Sequence, residues 1–223
     1  MNQLNSSFAQ GLYGITPAWE DKNRLMSAIE EACKGGMRVL QWRQKDLIPA
    51  DSLSLALEAK AICRLYDCQF FINDSVQLAL ACRADGVHIG RDDGSIPELR
   101  KACKEQGQNL LIGVSCYNDL ELAKLAIKER VDYLAFGALF PSSIKPDAVS
   151  ASLELFAEAK AYMQKQDIAD AMLPALVGIG GINSHNAHLV VEAGADSIAV
   201  ISGLFDSDTI QSTAQQLSQL FQI

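Results

Sequence analysis

Three stretches of this chain carry side chains whose types and spacing suit the handling of phosphate. Between Phe70 and Asp93 it reads FFINDSVQLALACRADGVHIGRDD. Asn73-Asp74 closes one apolar run and Asp92-Asp93 lies just past the next. Two predicted strand ends therefore aim a carboxamide and carboxylates at one place. An oxygen-rich set with few protein ligands suits Mg²⁺, which takes one or two carboxylates and completes its shell with substrate phosphates. Asp74-Ser75-Val76-Gln77 also reads as a capping box, and capping is the commoner role of an aspartate at a helix start. Asp93 has less structural purpose, because Ser95 and Glu98 already supply a cap for the following helix.

The second stretch is Gln41-Trp42-Arg43-Gln44-Lys45. Gln41, Arg43 and Lys45 alternate, so on an extended segment all three share one face. Polar and cationic groups on an inward face are costly as core filling alone. Arg offers a planar fork to phosphate oxygens and Lys a point charge. The third stretch is Gly180-Gly181 with Ile201-Ser202-Gly203, where glycine admits close backbone approach to an anion and the helix start expected at Asn183 adds a favourable dipole. A tight turn is the plainer reading of the glycine pair. Lys145, before Pro146 in a Ser-rich loop with Ser142, Ser143 and Ile144, gains meaning only from this company. His88 reads as a core or supporting residue. His185 and His188 lack the further ligands a zinc site requires.

Alternating elements must position these groups. Strands are expected at Leu12–Ile15, Val39–Arg43, Gln69–Asn73, Gly86–Gly90, Leu110–Ser115, Tyr133–Gly137, Ala175–Gly180 and Ser197–Ser202. Amphipathic helices are expected at Asp21–Lys34, Ala50–Tyr66, Val76–Cys82, Ile96–Glu105, Asp119–Arg130, Leu153–Lys165, Asn183–Ala193 and Thr209–Phe221. Such alternation predicts βαβ units and a parallel sheet. Eight of each, in a chain of this length, is the count of an α/β single-domain TIM (β/α)₈ barrel. An open doubly wound sheet fits less well, because no glycine-rich fingerprint follows the first strand. The candidate residues then all fall at the C-terminal strand ends, where barrel active sites form. Phrases ending in aspartate (Arg83-Ala84-Asp85, Arg130-Val131-Asp132 and Gly194-Ala195-Asp196) fall at the opposite face and read as stability features. Residues 1–10 form a polar lead-in, and residues 11–223 the barrel domain.

The 223 residues carry a formal net charge of −8, which argues against nucleic acid as a partner. An anionic substrate would need a locally basic pocket. No apolar run reaches the roughly 18 residues of a membrane helix, and the N-terminus does not read as a signal peptide. Six cysteines show no zinc-type pairing, so reduced thiols in a cytoplasmic protein are expected. Two anion sites, one with a metal, suggest two phosphorylated small-molecule substrates and a Mg²⁺-dependent transferase or lyase. The oligomeric state stays open, a homo-oligomer included.

With these residues in view, the chain resembles the thiamine phosphate synthase family from Gly11 to Phe205. The resemblance rests on Gln-x-Arg-x-Lys at 41–45, Asn-Asp at 73–74, GVHIG-x-Asp-Asp at 86–93 and GVS at 113–115. It continues through Phe-Gly at 136–137, Pro-Ser-x-x-Lys at 141–145, GIGGI at 178–182 and AVIS at 199–202. That family joins a hydroxymethylpyrimidine diphosphate to a thiazole phosphate, releasing pyrophosphate by a dissociative route that demands no general base. The resemblance implies one Mg²⁺ per site on Asp74 and Asp93. It implies diphosphate binding by Arg43, Lys45, Asn73 and Lys145, and pyrimidine orientation by Gln41 and Ser115. Ser142, Ser143 and Ile144 would meet the thiazole, with its phosphate on Gly181, Ile201 and Ser202. Arg43, Lys45 and Lys145 would be the catalytic cations.

The chain departs from the family pattern at Ile144, where members usually carry a hydroxyl, and at Arg91-Asp92, where they carry Gln-Glu. A lost hydrogen bond to a charged group costs about 1.5–3 kcal/mol. The rival readings are a thiazole tautomerase-like isomerase on the same barrel and a non-catalytic paralogue that binds thiamine precursors. The isomerase does not need the full diphosphate set, Ile144 is what suggests the paralogue, and Mg²⁺-dependent turnover separates the synthase from both.

Overall fold

A computed structural model describes residues 7–44, 49–141, 150–166 and 173–222, with the backbone alone at 49–51. Eight strands close into a barrel in sequence order: β1 (Gly11–Ile15), β2 (Val39–Trp42), β3 (Gln69–Asn73), β4 (Gly86–Ile89), β5 (Leu111–Tyr117), β6 (Tyr133–Phe136), β7 (Ala175–Ile179) and β8 (Ser197–Val200). Every neighbouring pair is parallel, β8 closing on β1. The strands are short and apolar along their length because both of their faces are covered, one by the barrel interior and one by helices. Helices α1 (Lys22–Lys34), α2 (Pro49–Leu65), α3 (Val76–Ala81), α4 (Ile96–Glu105), α5 (Leu120–Lys128), α6 (Glu154–Met163), α7 (Ala187–Glu192), α8 (Ser202–Phe205) and α9 (Ile210–Gln219) complete the chain. No helix among the described residues is long and apolar enough to cross a membrane.

Side-chain caps set several helix starts. Asp21 accepts from the Arg24 amide, Asp119 accepts from Glu121 and Leu122, and Ser95 with Glu98 forms the expected capping box. At α3 the cap is Ser75, which accepts from Leu78, and not Asp74. The expected helix from Asn183 also begins later. Asn186 accepts from the Asn183 amide and donates to the Gly181 carbonyl, while Asn183 accepts from His185. These local bonds compete with helical pairing, so α7 starts only at Ala187. Strand eight likewise stops at Val200, and Ser202 opens the short α8.

The larger core lies between helices and strands, and a smaller one fills the barrel interior. Phe8, counted with the lead-in on sequence, packs in the inner core with ring centroids 4.4 Å from Tyr133 and 5.8 Å from Phe71. The inner rings fit because their neighbours lack side chains. A Cβ at Gly113 would collide with the Tyr133 ring, and one at Gly86 with Phe71.

At the N-terminal face a clasp is repeated three times. Asp85 accepts from the Phe70 amide, Asp132 from Ile112 and Asp196 from Leu176, each at 2.7 Å. Each aspartate also bonds the same residue's carbonyl through its own amide, at 2.9, 2.8 and 2.8 Å respectively. The residue two positions earlier has positive φ in every case: Arg83 at 51°, Arg130 at 55° and Gly194 at 104°. The turn aims the carboxylate back at a strand amide that has no strand partner at that edge.

Candidate active site

A cavity of about 380 Å³ opens at the C-terminal ends of the strands. Gln41, Arg43, Asn73, Asp74, Asp93, Ser115, Gly181, Ile201 and Ser202 all line it. These are all of the sequence-predicted candidates among the described residues. Lys45, Ser142, Ser143, Ile144 and Lys145 lie outside the described residues.

Arg43 stands one residue past β2, and its backbone is held there by Thr16. The buried Thr16 hydroxyl accepts from the Arg43 amide at 2.8 Å and lies 3.2 Å from the Arg43 carbonyl, while the Thr16 amide bonds Gln41 O at 3.0 Å. Gln44 donates to Pro17 O at 2.7 Å, a second tie between the same two loops. The guanidinium thus projects into the cavity from a pinned backbone, and a fixed fork suits a polyanion. Trp42 points the other way, into the outer core, as the alternation requires.

On β3 and β4, Asp74 has φ of 62° and bonds His88 O through its amide at 2.8 Å. Aspartate tolerates this left-handed backbone better than most residues. The turn passes the capping role to Ser75 and leaves the Asp74 side chain on the cavity wall. Asp93 has a structural task that its sequence position did not disclose. Its Oδ2 accepts from the Gly90 amide at 2.7 Å, closing the loop after β4. A carboxylate has a second oxygen, so this bond orients the group without exhausting it.

Below the cavity runs an unbroken buried chain of side-chain hydrogen bonds. Gln41 Nε2 donates to the Tyr13 hydroxyl at 2.8 Å, Tyr13 meets the Tyr133 hydroxyl at 2.7 Å, and Tyr133 meets His88 Nδ1 at 2.8 Å. His88 Nε2 meets Ser115 Oγ at 2.8 Å. Burial drives the His88 imidazole down to about 4, opposed in part by the Asp93 charge, so the ring is neutral at pH 7. Burial raises both phenols, which keep their protons.

Proton counting then orders the chain. Tyr13 accepts from Gln41, so it satisfies its own proton by donating to Tyr133, which in turn donates to Nδ1. Nε2 carries the ring proton and gives it to Ser115 Oγ. The serine hydrogen is left to point at the cavity. The reverse direction would strand a phenolic proton at Tyr13, and a buried unpaired donor is disfavoured. Ser115 is therefore presented as a donor and Gln41 with its carbonyl oxygen unspent in this chain.

The loops after β7 and β8 form the opposite wall. Gly181 has φ of 64°, and a Cβ there would strike the Phe140 and Pro141 carbonyls. Ser202 and Gly203 are the first residues of α8, whose opening amides have no intrahelical acceptor. The dipole expected from a helix starting at Asn183 is absent; α8 supplies the nearer helix start. His185 and His188 are exposed.

Two residues that shape the cavity escaped the sequence reading: Thr16, which pins Arg43 without lining the cavity itself, and Tyr117 on its wall. Thr16 is hidden in a loop, where a single threonine carries no signal. Tyr117 follows a register shift between Ser115 and itself, has φ of 52°, and lies beneath the Arg91 guanidinium at 5.4 Å. A strict alternation from Ser115 would have placed it on the inward face; the bulge carries it to the rim, where it is 41% exposed.

Comparison with known proteins fits this geometry. A family profile described as thiamine monophosphate synthase matches residues 12–204. The chain is 46% identical over 221 residues to a thiamine-phosphate synthase of Bordetella avium, covering 99% of this chain and 98% of that one. Over 212 residues it is 44% identical to a thiamine-phosphate synthase of Chromobacterium violaceum, covering 95% and 96%. Among solved structures, thiamine phosphate pyrophosphorylase from Pyrococcus furiosus superposes with a TM-score of 0.80 at 31% identity, covering 96% of each chain. The chain therefore belongs to the thiamine-phosphate synthase family, transferases of thiamine biosynthesis built on a closed (β/α)₈ barrel.

Proposed function

We propose that this cavity joins the pyrimidine diphosphate to the thiazole phosphate with Mg²⁺, and that the residues lining it take the roles their positions suggest. One observation carries the reading: two arginines, three carboxylates, two carboxamides, an oriented serine and a glycine-rich wall converge on a single cavity. Asp74 and Asp93, at the ends of adjacent strands, would hold one Mg²⁺ ion. Their hard oxygen donors suit it, and the small number of protein ligands leaves room for phosphate oxygens. Bound there, the ion would supply charge neutralisation to the departing pyrophosphate.

Arg43 and Asn73 bind the diphosphate oxygens from one side, with Lys45 and Lys145 assigned to the same group. Gln41 and Ser115 orient the aminopyrimidine, one accepting and one donating as the buried chain dictates. The thiazole phosphate rests against Gly181, Ile201 and Ser202, and the loop at Ser142, Ser143 and Ile144 contacts its ring. Departure of pyrophosphate leaves a pyrimidine-methyl cation, which the thiazole nitrogen captures. Catalysis is then positioning and electrostatics, with no side chain required as nucleophile. The substrates are two phosphorylated small molecules, and the setting is cytoplasmic.

The test is thiamine phosphate formation from both precursors with and without Mg²⁺, in wild type, Arg43→Ala and Asp93→Ala. Magnesium-dependent product in wild type, with kcat/KM reduced by about 10²-fold or more in each variant, is expected, since charge-stabilising groups are worth that much. Wild-type rates in either folded variant would refute its assigned role. Product without magnesium would refute the metal assignment.

A further inference from the structure

Far from the cavity, the fold gathers three cysteines that sequence spacing left unrelated. Cys33 lies in the last turn of α1, Cys63 in the last turn of α2, and Cys68 immediately before β3. Their sulfur atoms all lie within 4.8 Å of one another, and all three residues are buried. The turns that bring them together are closed by backbone bonds. Cys63 O accepts from both the Tyr66 and Cys68 amides, and Cys33 O accepts from Gly36. Three separate elements thus hold three sulfurs in a preformed triangle at the N-terminal face of the barrel.

We propose that Cys33, Cys63 and Cys68 form a binding site for a soft monovalent metal ion of the Cu(I) class. Metal–sulfur bonds of about 2.3 Å set three sulfurs about 4 Å apart around a central ion, a spacing this cluster reaches with small side-chain rotations. Sulfur-only donor sets select soft ions. Among the described residues no histidine or carboxylate joins the cluster, so the four-ligand shell of a structural zinc site is incomplete. Charge does not separate the ion classes, since one thiol proton exchanged for a monovalent cation, or two for a divalent one, each keeps the buried site neutral; donor softness and the three-ligand count make the choice. The other reading, cysteine as a small buried hydrophobe, makes no use of the convergence.

The experiment is anaerobic titration of the full reduced chain with Cu(I) against a chromophoric Cu(I) chelator. One ion retained per chain, with sulfur-only coordination by X-ray absorption, is expected. Retention should fall in Cys33→Ser, Cys63→Ser and Cys68→Ser by more than the roughly 10–100-fold that loss of an outer partner costs. It should be unchanged in Cys103→Ser. Because buried serines can unfold a variant, melting of the wild type with and without Cu(I) is a second readout, with Tm expected to rise by roughly 5–10 °C. A folded wild type that yields all its Cu(I) to the chelator, or melts at the same temperature with it, overturns the proposal and makes the cluster core packing. Zn²⁺ held as tightly by the same cysteines overturns the monovalent assignment. A disulfide between two of the three, formed in place of metal binding, overturns it as well.

Discussion

His88 shows how one buried side chain can order the hydrogen bonds of two neighbours, the buried Tyr133 and Ser115 on the cavity wall. Its neutral ring accepts at Nδ1 from the Tyr133 hydroxyl and donates at Nε2 to Ser115 Oγ, so the donor presented to the cavity depends on the tautomer. Its folded-state value of about 4 lies below the unfolded value of about 6.5. Between those values the unfolded chain binds the proton and the native one does not, so stability falls as pH drops from about 6.5 towards 4. By pH 5 the loss is about 2 kcal/mol from this residue. Denaturant midpoints at pH 7 and pH 5 should show His88→Gln losing about 2 kcal/mol less than wild type over that interval. Equal losses would mean that His88 is protonated at no cost in the fold. Little of this was legible in the sequence. Tyr13, Tyr133 and His88 occur in apolar runs where each passes for core, and only the registration of their three strands lines up their polar tips. Arg43 and Asn73 were legible as cavity residues because a charge or amide at the end of an apolar strand has few structural explanations, whereas the bond from the Gly90 amide to Asp93 was not. Asp74 was read first as a helix cap, and its positive φ instead gives that role to Ser75 and leaves the Asp74 side chain on the cavity wall.

At the scale of elements, the alternation of apolar runs and amphipathic segments was sufficient to place eight strands in order, because a parallel return needs a crossover helix. What it missed were departures from regular pairing: the late start of α7, the short α8 and the bulge in β5. Each arises from a local side-chain or backbone bond that periodicity does not encode. The aspartate clasps were legible as a repeated phrase, and the structure gives their physics. Leu176 is fully buried, and the Asp196 carboxylate is the acceptor for its amide. Asp196→Ala should therefore cost about 1–3 kcal/mol, the desolvation cost of an orphaned amide, and lower Tm by roughly 2–4 °C per kcal/mol. Asp196→Asn keeps an oxygen acceptor and should lose less. A melting temperature unchanged in the alanine variant would show that another group or water satisfies Leu176.

Across the whole molecule the two ends of the barrel do different work. The C-terminal mouth gathers arginines and carboxylates around a cavity. The N-terminal end carries the three clasps and the Phe8 plug, which serve closure. The inner core between them is filled by interlocking rings with no side chain at Gly86 or Gly113 to intrude. Sites this far apart, sharing no partner, should act independently, with stability effects adding to within about 0.3–0.5 kcal/mol. Combining Arg43→Ala with Asp196→Ala tests this directly. The double variant should show the stability loss of Asp196→Ala summed with the small effect of Arg43→Ala, and the kcat/KM of Arg43→Ala alone. Unfolding curves and initial rates on the four proteins of the cycle measure both quantities. A coupling above about 1 kcal/mol in stability, or a further drop in kcat/KM, would mean that the ring stack transmits strain from the clasps to the mouth. The buried chain from Gln41 to Ser115, which crosses that stack through Tyr13 and Tyr133, would be its route.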